Sequence, residues 1–322
     1  MGNLPNSRLH LEYPFLETGV DYAGPVLIAD RKGRGCKLVK CYICVFVCLA
    51  TKALHLELVS DLTKEAFIAA LNRFIARRGR PQRIFSDNGT TFVGTFNELS
   101  SLLRDPSLSA HLTDKGIDFS FIPAYTPHFG GLWESAVKSI KHHLRRILEL
   151  THLTFEEMAT LLIQVEAILN SRPITPISND PSDLTCLTPA HFLIGRSIVS
   201  LPCPQLIEKR ITSLQRFQRI EALKQHFWAR FHNEYVFWLQ RKTRWHTSHG
   251  KLREGSLVLI KDKSAPPLMW SLGRILRTLP GRDGIARVAD IKTKKGVLRR
   301  AYNTICPLPT TLIEDETSRR AV

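Results

Sequence analysis

Residues 41–50, CYICVFVCLA, form an unbroken apolar run, and this run limits the chain's choices more than any other feature. Its β-branched and aromatic residues make it a strand. It is too short to cross a bilayer, which takes about 18 apolar residues or more. The first thirty residues show no basic region followed by an apolar one, so no signal peptide and no membrane partner are expected. Cys36, Cys41, Cys44 and Cys48 cluster here and invite a zinc site. On a strand, however, Cys41 and Cys44 point to opposite faces, and no histidine pair with finger spacing accompanies them. These thiols are read as core packing in a reducing compartment without disulfides.

Around this strand lies an ordered alternation. Residues 18–30, TGVDYAGPVLIAD, read as a first strand, RKGRG as a turn and ALHLELVS as a third strand, so short turns join an antiparallel meander. A helix then starts at the cap Thr63, runs through Phe67, Leu71, Phe74 and Ile75, and closes at Gly79. QRIFSDNG is a short strand, and residues 90–103 are helical by pattern. Residues 104–116 look like a polar connector and IDFSFIPA like another strand. From residue 128 a helix buries Trp133, Val137, Ile140, Leu144 and Ile147 at three- and four-residue steps. A further helix covers residues 154–174. A meander followed by alternating units implies an α/β fold, a mixed sheet with helices on its faces.

The rear of the chain differs in charge. Residues 1–205 hold 21 Lys and Arg against 19 Asp and Glu, whereas residues 206–303 hold 22 against 7. That asymmetry points to a polyanion, and nucleic acid is the usual one. Residues 175–205 look irregular, broken at Pro176, Pro181, Pro189, Pro202 and Pro204. One long or two shorter basic helices fill 206–240, with apolar positions from Ile207 to Trp238. Four short strands follow, the last being GVLRRAYNTICPL.

Three acids occupy unusual places. Asp21 lies inside a strand, where charge is disfavoured; Asp87 ends a strand ahead of Asn88-Gly89; Glu134 opens the long helix. Acids that converge need a cation to relieve their repulsion, and hard oxygen ligands select Mg²⁺ or Mn²⁺. The plainer alternative is three unrelated acids: a turn residue, a sheet-edge pair, and a Glu134 to Lys138 surface pair worth a few tenths of a kcal/mol.

The blocks GVDYAGP, RIFSDNGTTFVG and PHFGGLWESAVKSIKHHL together resemble the catalytic core of retroelement integrases, closest to the BEL/Pao retrotransposon type, over roughly residues 10–205. The resemblance implies an RNase H-like mixed five-stranded sheet flanked by helices, followed by a helical linker and a small all-β barrel-like domain. It implies that Asp21, Asp87 and Glu134 are the catalytic, metal-holding acids, around two Mg²⁺ or Mn²⁺ ions. The interval from Asp87 to Glu134 is longer than in retroviral integrases, and residues 104–116 read as the insertion.

Lys138 and Lys141, one and two turns beyond Glu134, would face element DNA, with Asn88 and Arg145 beside them. The tail resembles the region that follows such cores, and Lys292, Lys294, Lys295, Arg299 and Arg300 are its candidate phosphate contacts. The expected partition is a lead-in 1–15, core 16–175, connector 176–205, basic helical linker 206–245, β-barrel-like basic domain 250–310 and disordered tail 311–322. The zinc-binding domain usual before such cores is expected to be missing, since His10 has no partners.

The implied reaction is two-metal 3′-end processing and strand transfer of element DNA into target DNA by a polynucleotidyl transferase. It would work as a homo-oligomer in the nucleus after cytoplasmic transit. KTKK at 292–295 is a minor localisation signal. The alternatives are an inactive or domesticated DNA-binding protein and a nuclease of the same fold.

Overall fold

The computed structural model describes residues 13–33, 35–86, 105–121, 140–148, 151–200, 203–246, 253–262, 265–282 and 286–309. The chain divides into two compact units. The first comprises Met1–Ser171, Pro189–Phe231 and Pro266–Leu268, and the second comprises Arg172–Thr188, His232–Ala265 and Met269–Val322.

In the first unit the apolar run falls on β2 (Leu38–Cys48), between β1 (Glu17–Ala29) and β3 (Leu54–Val59). The meander is antiparallel, and β4 (Arg83–Ser86) and β5 (Asp118–Phe121) continue it in parallel, giving the order β3-β2-β1-β4-β5. β1 is therefore the middle strand. Its register slips between Ala23 and Val26, and this bulge accommodates Pro25 within a paired strand.

Both faces of β2 are covered. Cys44, Phe46 and Cys48 pack with Phe67, Leu71 and Phe74 of α1 (Lys64–Arg78), while Cys41, Ile43, Val45 and Val47 are equally buried on the other side. α1 begins at Thr63, whose side chain accepts from the Ala66 amide, and ends at Gly79 in a left-handed conformation with φ 91°.

Residues 104–116 are not a plain connector. They contain α2 (Pro106–Asp114), which starts with Asp105 as its cap and Pro106 in its first turn. Leu108 and Leu112, one turn apart, enter the same core as α1.

The edge strand β3 is closed by side chains. Asn170 of α3 (Phe155–Asn170) accepts from the Leu54 amide and donates to its carbonyl, both at 2.8 Å, and Glu166 accepts from the Leu56 amide at 2.9 Å. These groups stand where a further strand would pair. Behind them His55 lies 3.0 Å from Glu57 and 3.4 Å from Glu166, with Arg73, Arg77 and Arg78 completing the network. Burial opposes a charge on His55, but hydrogen bonds to Glu166 and Glu57 outweigh it and raise its pKa.

At the other end of α3, Thr154 and Glu157 form a capping box. Glu157 also receives both Nε and Nη2 of Arg216, at 2.7 and 2.5 Å. Arg216 opens α5 (Arg216–His246), a single helix preceded by a 3-10 turn at Ile211–Ser213, so Ile207 and Ile211 lie outside the α-helix.

The connector at 175–205 carries the paired strands β6 (Thr175–Pro176) and β7 (Cys186–Leu187) and the helix α4 (Pro189–Ile194). In the second unit β8 (Leu257–Ile260), β9 (Leu272–Pro280), β10 (Ala286–Thr293), β11 (Gly296–Ala301) and β12 (Ile305–Pro307) make an antiparallel sheet of order β11-β10-β9-β8-β12. The sequence pattern merges β11 with β12. A 3-10 turn at Tyr302–Thr304 separates them and sends β12 to the opposite edge, against β8. Along β8, Val258 and Ile260 join one buried cluster with Ile275 and Ile291, while Leu257 and Leu259 join another with Val236 and Leu239 of α5.

Glu157 supplies a direct test of this framework. Burial works against its charge, yet the Arg216 hydrogen bonds and the Thr154 amide bring its pKa down to about 2. The stabilisation is therefore complete above the ordinary value of 4.5 and is lost as pH falls toward 2. Glu157→Gln is expected to lower stability at pH 7 by about 1–3 kcal/mol. It should also flatten the pH dependence below 4.5, read by urea unfolding across pH.

Candidate active site and nucleic-acid interface

Asp21 sits on the strand that is hydrogen-bonded on both edges. Its Cα partner on β2 is Val45, and its predecessor Val20 pairs with Ser86 on β4. The backbone there is fixed from two sides, which fixes the carboxylate too. The side chain is 15% exposed. Oδ1 accepts from the Tyr22 amide at 2.6 Å, and Oδ2 lies 3.7 Å from Nζ of Lys141. One acid of the expected set thus meets one base of the expected ridge, 120 positions apart in sequence.

Lys141 is delivered by the helical segment 140–148. Ile140, Leu144 and Ile147 are buried, as the three- and four-residue spacing requires. His143 is buried as well and meets the Phe227 ring of α5 edge-on, with centroids 5.7 Å apart. These contacts anchor one side of the segment. Lys141 remains 40% exposed on another side, and Arg145, one turn on, is exposed.

Asp87 follows Ser86 directly in sequence. Asp87, Asn88, Glu134 and Lys138 all lie outside the described residues, as do Trp133 and Val137 of the apolar stripe.

The thiols near Asp21 are unsuited to metal. Burial pushes the Cys44 thiol well above its ordinary range and does the same to the Tyr22 hydroxyl beside it. Cys41 and Cys44 occupy opposite faces of β2, and no cluster of three or more His, Cys, Asp or Glu with metal-holding geometry occurs among the described residues. At this place the described hard-oxygen donor is Asp21, with the Lys141 ammonium beside it.

The candidate phosphate contacts of the second unit are exposed: Lys292, Lys294, Lys295, Arg299 and Arg300 all lie on or between β10 and β11. Arg299 is bound to Asp290, an acid that the linear pattern does not single out, and Arg277 of β9 reaches the same carboxylate. The readable signal was the strand alternation in ARVADIKT, which turns Asp290 to the face opposite Ala289 and Ile291, although all three are buried.

The integrase core domain family model matches residues 20–127. This is the segment that holds Asp21, the five-stranded sheet and α1. Residues 215–308 match a second family model, described only as a family of unknown function. The integrase core match agrees with the mixed sheet and its strand order, and places the chain's front in that fold. No curated protein matches the sequence.

Among solved structures, the chain is similar to one in a simian T-cell lymphotropic virus intasome in complex with the PP2A regulatory subunit B56 gamma. The identity is 12%, with 93% of this chain and 80% of that chain covered at a TM-score of 0.38. It is also similar to the catalytic core domain of BIV integrase, at 14% identity, 56% and 95% coverage and the same TM-score.

Thiol labelling separates core cysteines from a metal cluster. In the native protein Cys36, which is partly exposed, is expected to react with a maleimide, while Cys41, Cys44 and Cys48 react only after unfolding. Mass spectrometry of the labelled peptides reads this out, and no zinc should accompany the purified protein.

Proposed function

We propose that this chain carries the catalytic core and a basic DNA-binding β domain of an integrase of the BEL/Pao retrotransposon type. In this reading it trims the 3′ ends of element DNA and joins them to target DNA. The observation that carries the proposal is the carboxylate of Asp21 on the middle strand, met at 3.7 Å by Lys141, which follows Glu134 by seven positions in the sequence.

In this reading Asp21, Asp87 and Glu134 hold two divalent ions, Mg²⁺ or Mn²⁺. Three carboxylates are the donor set that such ions favour. Bound there, the ions would supply activation of the attacking oxygen and stabilisation of the leaving one. The protein's own contribution is placement. β1 fixes Asp21 through its pairing with β2 at Val45 and with β4 up to Val20, and the buried Ile140, Leu144 and Ile147 fix the helix that carries Lys141. Lys141 and Arg145, with Lys138 and Asn88, present donors to backbone phosphates of the DNA end, and the cationic second unit holds DNA through Lys292, Lys294, Lys295, Arg299 and Arg300. The substrate places the protein in the nucleus, and its two DNA partners call for a homo-oligomer.

A strand-transfer assay on the full chain, with labelled DNA ends and Mg²⁺ or Mn²⁺, tests the proposal. Asp21→Asn should reduce joined product by at least about 100-fold while leaving thermal melting unchanged. Cleavage without joining would identify a nuclease of the same fold. DNA binding with neither activity would identify a protein that has kept the fold and lost the reaction.

A further inference from the structure

One acid in the second unit is enclosed by two arginines. Asp290 on β10 is the direct cross-strand partner of Arg277 on β9 and of Arg299 on β11. Arg277 Nε donates to Oδ2 at 2.7 Å. Arg299 donates to Oδ1 through Nε at 2.7 Å and to Oδ2 through Nη2 at 3.1 Å.

The Asp290 side chain is only 8% exposed, whereas those of Arg277 and Arg299 are 63% and 60% exposed. Hydrogen bonds from Arg299 first, and then from Arg277, hold the carboxyl well below the usual carboxylate range, so it stays ionised. Its neighbours Ala289 and Ile291 are fully buried, and strand alternation turns Asp290 to the opposite face, where the two exposed arginines cover it.

Ion pairs this exposed add little to stability. Their effect is to order two long side chains that would otherwise sample many rotamers. A guanidinium has five N–H donors. These bonds engage one on Arg277 and two on Arg299, and the others remain on exposed groups. The outer face continues to the exposed Lys292, and residues 291–301 contain five cations and no acid.

We propose that Arg277, Asp290 and Arg299 form a preorganised fork that binds a backbone phosphate of nucleic acid, with Asp290 as the positioning residue. A planar guanidinium grips a phosphate through two parallel hydrogen bonds, and immobilising it beforehand removes part of the entropy that binding would cost. The further cations along β10 and β11 suit a polymer with repeating charge better than a single acidic group. The inference rests on the DNA-binding reading above and adds Arg277 and Asp290 to it.

Charge alone and preorganisation make opposite predictions. Asp290→Asn removes a negative charge, so a pure charge effect tightens DNA binding. The fork instead predicts that affinity falls about three- to tenfold, because both arginines lose their anchor.

The experiment is fluorescence anisotropy of the full chain with a labelled DNA duplex at fixed salt, with melting temperatures recorded for every variant. The double variant Arg277→Lys, Arg299→Lys keeps every charge and is expected to lose about tenfold, since lysine cannot reproduce the planar grip. Binding by Asp290→Asn equal to or tighter than the original overturns the fork. If that variant melts early, the lysine pair decides, and unchanged affinity there overturns it equally. Displacement of the duplex by polyglutamate as readily as by polyphosphate of equal charge would also overturn the phosphate assignment. If the unsubstituted chain fails to bind DNA at all, the wider reading falls together with the fork.

Discussion

A carboxylate on a strand hydrogen-bonded along both edges is the constraint on which this structure turns. β1 pairs antiparallel with β2 through Asp21 and parallel with β4 as far as Val20, so the sheet holds the Asp21 backbone in place. A strand interior disfavours charge, and a partly covered carboxylate needs compensation. Here that comes from the Tyr22 amide and the Lys141 ammonium. Relocating the acid would be the simpler solution for stability alone. Its presence at this place, in a segment matched by the integrase core domain, is what gives the functional reading its weight.

The remainder of the first unit keeps that strand still. β2 is buried on both faces, α1 covers one of them, and α3 closes the far edge with Asn170 and Glu166 in place of another strand. The His55, Glu57 and Glu166 network, with its three arginines, ties β3 to α1 and α3. Each tie is polar and directional, so the edge has one register and is not open to a strand from another chain. A rigid frame of this kind suits a site that must hold reacting oxygens in line. The second unit repeats the logic on a smaller scale. Arg274 is buried and gives its guanidinium to the carbonyls of Asp183, Gly255 and Ser178, pinning the 178–183 loop to the sheet.

Much of this was legible in the linear sequence wherever the signal is local. Thr63 and Gly79 bound α1, the apolar run made β2, and the spacing of Ile140, Leu144 and Ile147 gave the buried side of their helix. α2 escaped because its serines and threonine mask a single pair of core leucines. Asp105-Pro106 was nonetheless a readable start signal. The break between β11 and β12 was hidden in a continuous strand-like pattern, since only the sheet decides that β12 crosses to β8.

Long-range polar pairs were out of reach altogether. Glu166 and the Leu56 amide are 110 positions apart, and Asp290 meets Arg277 through a strand register that no spacing rule specifies. Of the residues expected at the site, Asp21 and Lys141 are brought together by the fold, while Asp87, Asn88, Glu134 and Lys138 lie outside the described residues.

The central claim is that Asp21 is a metal-holding acid and not a buried partner for one lysine. Mn²⁺ binding to the full chain, followed by electron paramagnetic resonance of the free ion, tests this without reference to activity. Asp21→Asn is expected to abolish the tight Mn²⁺ sites, with Asp87→Asn and Glu134→Gln weakening them, while all three variants melt as the original does. Undiminished Mn²⁺ binding by a folded Asp21→Asn protein would contradict the account.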